Sequence, residues 1–195
     1  MIDGSEQTPR RQIMDMGDFE ERDYRVFELF RKRWALVAAG TPGDFNACTV
    51  GWGSLGTLWT RPGKTGSAVT VYLYPTRYTR EYLAANDTFT VSFFPEERRK
   101  ALGIMGSRSG RDGDKAAAAG LTPVGLGGSV TFEEAALTLV CRKVYQHRMS
   151  KDGMAPDIRD YYASKPGAFP ATESGEWEPH WVFVGEIVDV SGELD

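Results

Sequence analysis

Short apolar and alternating runs divide the chain into strands that often follow one another directly. Strand patterns cover residues 34–40, 47–59, 67–75, 87–94, 129–149 and 181–192. The turn-rich residues 41–46 are all that separates the first two, which predicts a β-hairpin. Because several strands succeed one another without a helix between them, the pattern favours an antiparallel, barrel-like core over a doubly wound sheet.

Helical periodicity between these strands predicts helices at the rim of the barrel. The predicted helices cover residues 19–33, 76–86, 95–106, 113–120 and 156–165. Thr76 is the predicted N-cap of the second helix, and Gly120 ends the fourth. The polar residues 1–18 predict a flexible tail before one domain that covers residues 19–195.

Composition and charge narrow the classes of partner. Of the 195 residues, 41% are hydrophobic, which is enough for one buried core. The net charge of −4 argues against nucleic acid and against an anionic membrane as partners. No apolar run is long enough for a signal peptide or a membrane span, which predicts a cytoplasmic protein. Cys48 and Cys141 lie far apart and predict no disulfide framework.

The sequence Gly-Trp-Gly-Ser-Leu-Gly at residues 51–56 matches the dinucleotide-binding pattern G-x-G-x-x-G. In that motif the last glycine opens a helix, and an acidic residue about 20 positions later binds the ribose. Here the proline and glycine within residues 57–63 leave no room for a helix, and no acidic residue occurs between Asp44 and Glu81. The segment therefore predicts a glycine-rich strand instead of a Rossmann turn.

Other familiar catalytic patterns are missing from the sequence. The two histidines, His147 and His180, have no acidic partners at a metal-binding spacing, so no metal site is predicted. Gly-Ser-Arg-Ser-Gly at residues 106–110 has arginine where a hydrolase nucleophile elbow has serine. The chemistry must therefore come from another kind of site.

Two segments combine hydroxyl and basic side chains beside predicted helix starts. They are Thr76-Arg77-Tyr78-Thr79 and the loop that contains Ser107, Ser109, Gly110, Arg111 and Lys115. Helix N-termini present free N–H groups and the positive end of the helix dipole, and both features favour phosphate. A capped helix beside a solvated charged loop would explain the same residues, and their spacing does not decide between the two.

The order of several sequence blocks resembles that of flavin reductase-like, FMN-binding split-barrel proteins, the group that includes flavoredoxin. The blocks are NACTVGWGSLGTLW, RYTREYL, FTVSFFPEERRKALGIMGSRSGRDGDK, AGLTPV, TFEEAALTLVCRKVYQ and HWVFVGEI, within about residues 20–190. The resemblance implies a mainly β fold, a six-stranded antiparallel split barrel with peripheral helices. It also implies a homodimer that binds FMN without a covalent link.

The same resemblance implies a site in three parts. The flavin ring would lie against Cys48, Thr49, Val50, Gly51, Trp52 and Gly53, where small residues let backbone N–H groups reach the ring. The phosphate would be bound by Thr76, Arg77, Tyr78 and Thr79 and by Ser107, Ser109, Gly110, Arg111 and Lys115. His180, at the start of the last strand, would approach the flavin or the nicotinamide.

The implied activity is hydride transfer from NADH or NADPH to FMN, followed by electron transfer to an acceptor or a redox partner protein. Two alternatives stay open. The chain could be a non-catalytic FMN-binding electron carrier, or a split barrel that binds pyridoxal phosphate or haem. Residues 151–179 match no block of the family and are predicted to carry substrate or partner choice.

Overall fold

The computed structural model describes residues 13–194, and antiparallel strands are its main element. The strands are β1 (Ile13–Met14), β2 (Ala35–Thr41), β3 (Asp44–Val50), β4 (Gly53–Thr57), β5 (Ser67–Leu73), β6 (Thr88–Phe93), β7 (Pro123–Leu126), β8 (Ser129–Phe132), β9 (Leu137–Arg148) and β10 (Trp181–Gly192). The helices are α1 (Met16–Glu21), α2 (Val26–Glu28), α3 (Thr79–Ala85), α4 (Arg99–Ser107), α5 (Lys115–Ala119) and α6 (Pro156–Ala163). A π-helical turn (Leu29–Arg33) continues α2.

One antiparallel sheet forms the barrel, with the strand order β3-β2-β6-β9-β10-β5-β4 and with β1 paired to β10. The strands β3 and β4 lie at opposite ends of this order, although only Gly51 and Trp52 separate them in the chain. If β3 and β4 are counted as the two halves of one bent strand, the barrel has six strands. It is open between β3 and β4, the two ends of the sheet. The predicted six-stranded antiparallel split barrel is therefore confirmed.

Apolar side chains are buried on both faces of β2. Val37 faces the barrel interior and belongs to the same cluster as Phe89. Its neighbour Leu36 faces the other way and belongs to a cluster with Leu102 of α4 and Phe132 of β8. A strand buried on both faces needs apolar residues at every position, which explains the continuous run 34–40 in the sequence.

Several predicted boundaries agree with the structure. Strand β10 covers the predicted residues 181–192, and α6 begins at the predicted Pro156. Gly120 ends α5 in the left-handed conformation, with a φ of 65°, as expected of a helix C-cap. Residues 13–18 of the predicted tail form β1 and the start of α1, while residues 1–12 lie outside the described part.

Three predictions of local structure are wrong. The strand predicted over 47–59 is interrupted at Gly51 and Trp52, because its halves pair at opposite ends of the sheet. The helix predicted over 76–86 begins at Thr79, since Arg77 N–H donates to Tyr74 O in a turn.

The third error concerns the helix predicted over residues 19–33. The chain instead forms α1, an extended segment and α2 with its π-helical turn. Phe27 is 91% exposed and lies outside the core that its spacing predicted. Tyr24, Leu29 and Phe30 do pack on the barrel core, so a real apolar stripe is divided between separate elements.

None of the helices within residues 13–194 has the length and apolar composition needed to cross a membrane.

Candidate functional site

A cavity of about 470 Å³ lies where the sheet is split. Its walls come from the end of β3, the β3–β4 connection, the end of β5, the following turn and the loop 167–170. His180, just before β10, completes the lining. The volume lies within the range of about 300–1,000 Å³ that is usual for small-molecule and cofactor sites.

Most of the residues that the sequence predicted to contact a flavin ring line this cavity. Its lining includes Cys48, Thr49, Val50, Gly51 and Trp52. Among the described residues, the backbone N–H groups of Gly51 and Trp52 have no hydrogen-bond acceptor. Unpaired backbone donors beside a cavity require water or a ligand as partner.

Two residues of this wall have structural tasks as well. The Thr49 hydroxyl donates to the Leu102 carbonyl at 2.6 Å, so its proton fixes β3 to α4 and is not available to a ligand. Burial raises the pKa of the Cys48 thiol, which keeps it protonated.

Gly53 does not line this cavity but a neighbouring one. A Cβ atom at Gly53 would lie 2.3 Å from Cε1 of Phe30, so the glycine allows a close approach of strand and ring.

The predicted phosphate segment 76–79 is divided by the structure. Thr76 and Arg77 line the cavity, and Arg77 Nη1 donates to the Gly106 carbonyl at 2.6 Å. Thr79 is completely buried, and its hydroxyl donates to Asn46 Oδ1 at 2.7 Å. The expected contact between Thr79 and a phosphate is therefore not favoured, because the hydroxyl proton has an internal acceptor.

Tyr78 also has neighbours other than the cavity. Its ring lies 4.1 Å from the guanidinium carbon of Arg111 and forms an edge contact with Tyr82. Arg111 in turn forms an ion pair with Glu81. The Arg111–Glu81 ion pair joins the predicted phosphate loop to α3. Neither Tyr78 nor Arg111 lines the cavity.

The rest of the predicted phosphate loop lies outside the cavity wall. Ser107 donates to the Ile104 carbonyl at 3.4 Å, and Ser109 Oγ accepts from the Arg111 N–H at 3.2 Å. These hydroxyls serve the end of α4 and the turn after it. Gly110 fits tightly, since a Cβ atom there would lie 1.9 Å from Asn46 Nδ2.

Lys115 is the exception in this loop, because it is buried and carries a charge. Its Nζ atom lies 3.5 Å from the Met105 carbonyl and 3.4 Å from the Arg108 carbonyl. No carboxylate within residues 13–194 forms an ion pair with it. Burial lowers its pKa, and the charge of Arg77 acts in the same direction. Arg77 and Lys115, which have no acidic partner in the part of the chain that the structure describes, thus lie near the end of α4.

Aromatic side chains close the ring end of the cavity around His180. The His180 ring lies 4.7 Å from the Trp52 ring, 5.3 Å from Tyr74 and 5.6 Å from Phe169, measured between centroids. Burial lowers the pKa of His180 to about 4, and the charge of Arg77 also lowers it. His180 is therefore a neutral imidazole at physiological pH, able to donate one hydrogen bond and accept another.

Tyr72, Tyr74 and Phe169 line the cavity but were not predicted as site residues. Tyr74 donates its hydroxyl proton to the Pro170 carbonyl, which fixes the loop 167–170 over the cavity. Phe169 stands in the loop Gly167-Ala168-Phe169-Pro170, where no periodic pattern marks it as a site residue.

We expect the neutral state of His180 to make stability depend on pH. The unfolded chain binds a proton at the ordinary histidine pKa of about 6.5, while the folded chain binds it only near pH 4. Protons therefore favour the unfolded state, and the free energy of unfolding should fall as pH falls from about 6.5 to about 4. Urea unfolding at several pH values in this window should show the His180-dependent fall in the free energy of unfolding for His147→Gln but not for His180→Gln. Equal slopes in both variants would contradict the assignment.

Solved structures of low sequence identity share this fold. The FMN-binding domain of a flavin reductases-like enzyme from Shewanella baltica has a TM-score of 0.60 and 14% identity, with 93% of this chain and 76% of that chain covered. Flavoredoxin from Methanosarcina acetivorans has a TM-score of 0.59 and 21% identity, with 89% and 74% covered. The NADH:FAD oxidoreductase SgcE6 of Streptomyces globisporus has a TM-score of 0.57 and 14% identity, with 83% and 75% covered.

At these identities the structures establish the fold, and the family follows from the sequence itself. No curated protein matches the chain. Residues 27–195, which are most of the chain, match the family described as the flavin reductase like domain. The match includes the split at Gly51 and Trp52, the turn at Arg77 and the closing strand β10. The chain therefore belongs to the flavin reductase like domain family.

Proposed function

We propose that the cavity at the split binds FMN without a covalent link and that the protein oxidises NADH or NADPH. The observation that carries this proposal is the pair of unpaired backbone N–H groups at Gly51 and Trp52 beside a cavity that Arg77 also lines. A flavin ring offers a row of acceptor atoms to such donors, and its phosphate suits a guanidinium group.

The size and charge of the cavity fit FMN. Its volume of about 470 Å³ is sufficient for a tricyclic ring and a ribityl chain. Arg77 lies at the cavity, and Lys115, outside the cavity wall, is close enough to Arg77 for their charges to interact. Because Lys115 has no acidic partner within the described residues, an arriving phosphate would gain its attraction without competing with a carboxylate.

When bound, FMN would supply the two-electron chemistry needed to oxidise a reduced nicotinamide. The backbone donors at Gly51 and Trp52 would orient the ring and favour negative charge on its acceptor atoms. The neutral His180 adds a hydrogen bond without adding charge. Trp52, Tyr74 and Phe169 surround this end with apolar surface and limit the access of water.

Two known proteins of this fold support the proposal by their descriptions. The Shewanella baltica domain is described as FMN-binding, and the Streptomyces globisporus protein as an NADH:FAD oxidoreductase. Neither description decides between NADH and NADPH for this chain, and both nucleotides belong in the assay.

The proposed function is tested by titration with FMN and by steady-state oxidation of NADH and NADPH. We expect saturable FMN binding at one site per chain and turnover with at least one nucleotide. FMN binding without turnover would identify an electron carrier instead of a reductase. A chain that takes up pyridoxal phosphate or haem but no FMN would refute the proposal.

A homodimer is also part of the proposed assembly, and an exposed aromatic row supports it. Trp59 and Tyr145 are 55% and 42% exposed, with ring centroids 6.0 Å apart, and His147 lies beside Tyr145. Exposed aromatic patches of this kind often mark subunit interfaces.

A further inference from the structure

A second cavity of about 500 Å³ lies beside the proposed FMN cavity. The two share Gly51, Trp52, Tyr72 and His180 in their linings. The second cavity is otherwise bounded by α2 and its π-helical turn, by residues of the segment 149–162, and by Trp177 and Pro179. An occupant would therefore contact Trp52 and His180, which also line the proposed FMN cavity.

The lining of this second cavity is almost entirely apolar. Its largest apolar members are Phe27, Phe30, Met154, Ile158 and Trp177. Among the described residues, no aspartate or glutamate lines it, Arg31 is its one strong base, and His180 is neutral. A lining of this kind would bind a charged ligand poorly, because the charge would lose its hydration without gaining a partner.

Flexible thioether and aromatic groups make the lining adaptable to a flat molecule. Met149 and Met154 contribute polarisable side chains that pack well against rings. Tyr162 stacks on Trp177 with an interplanar angle of 14° and meets Trp52 edge-on, with 5.7 Å between ring centroids. Flat aromatic surfaces thus line the cavity from more than one side.

We infer that this second cavity binds a neutral, planar, largely apolar small molecule. A concave space of this volume matches a small ligand of about two or three fused rings, whereas the flat face of another protein would leave it unfilled. Binding next to Trp52 and His180 would place the molecule beside the flavin, and that part of the inference rests on the proposed function. The substrate choice predicted for residues 151–179 would then reside in Met154, Ile158 and Tyr162.

The inference is tested with N-phenyl-1-naphthylamine, a neutral aromatic probe whose fluorescence rises in apolar surroundings. We expect saturable binding at one site per chain, with energy transfer from tryptophan. Ile158→Glu should weaken binding at least tenfold, because it places a carboxylate in the apolar lining. Ala163→Glu, on the same helix but outside the cavity, is the matched control and should bind as the unchanged protein does.

Phe27→Glu provides a second variant that does not depend on the fold of α6. Phe27 is 91% exposed, so its replacement should leave the folded state intact while it weakens probe binding. Probe affinity in Ile158→Glu and Phe27→Glu equal to that of the unchanged protein, or no saturable binding at all, would overturn the inference. The inference would also be overturned if the unchanged protein is a dimer that binds no probe and light scattering shows that Phe27→Glu dissociates it.

These outcomes are separable from those of the proposed function. Probe binding by a protein that takes up no FMN would retain the apolar site and reject the flavin site. FMN binding without probe binding would retain the flavin site and reject the apolar site.

Discussion

Replacing Arg77 by glutamine is expected to weaken FMN binding by about 10- to 100-fold, while riboflavin binding should stay nearly unchanged. The two ligands share the ring and the ribityl chain, and only FMN carries the phosphate. A hydrogen bond to a charged group contributes about 1.5–3 kcal/mol, which corresponds to this range of affinity. Arg77 lines the cavity, and within residues 13–194 its guanidinium group donates to the Gly106 carbonyl alone, so donors remain for a ligand.

Arg98→Gln is the matched control for this measurement, because Arg98 is an exposed cation outside the cavity. Fluorescence titration of both flavins against the two variants gives four affinities. Equal losses for FMN and riboflavin in Arg77→Gln would mean that the side chain only maintains the shape of the site. Unchanged FMN affinity would place the phosphate elsewhere.

Replacing Gly53 by alanine is expected to destabilise the protein by about 1–3 kcal/mol, the usual cost of an added methyl group in a well-packed region. The new Cβ atom would lie 2.3 Å from Cε1 and 2.6 Å from Cζ of Phe30. Phe30 is only 2% exposed and meets Phe93 edge-on at 5.5 Å, so its ring cannot move without disturbing the core.

Gly51→Ala is the matched control, two residues earlier on the same connection. A Cβ atom there would lie 3.4 Å from Cδ1 of Trp34, which is an ordinary contact distance. Thermal and urea unfolding should therefore separate the two alanine variants clearly. Equal stability of both would mean that the backbone around residue 53 relaxes more easily than the close packing suggests.

Elements with complete local signals could be predicted from the sequence. Strand β10 is a continuous run rich in β-branched and aromatic residues, and Gly120 terminates a run of alanines with the residue type that adopts a positive φ most readily. The family blocks added the six-strand arrangement, which no local pattern could supply. Strand order depends on contacts between distant residues, such as the pairing of β2 with β6.

Some residues of the candidate site could be predicted from the sequence and others could not, and the physical reason differs between residues. Arg77 and Trp52 carry large functional groups at positions that the family motif fixes. Thr79 was predicted as a ligand contact because a hydroxyl at a helix start often is one. Its acceptor, Asn46, is 33 residues away in the sequence, and no pattern near Thr79 reveals it.

Phe169 and Trp177, unlike Trp52, were beyond the reach of sequence patterns. Both belong to a segment without regular spacing. The contacts of Phe169 with Trp52 and His180, and the stacking of Trp177 on Tyr162, arise only when this segment folds back over the split. Periodicity identifies a residue that packs within its own strand or helix. It gives no information about a loop residue whose partners come from other strands.

The two-residue connection between β3 and β4 also sets a limit on how the site can open. Two residues of fully extended chain span at most about 7 Å, so the end strands of the barrel are covalently tethered at this point. The split cannot widen there without breaking strand pairs. The loop 167–170 contributes to the same cavity wall without belonging to a strand, and the Tyr74 hydroxyl holds it through the Pro170 carbonyl, so movement of this loop would widen the cavity without breaking strand pairs.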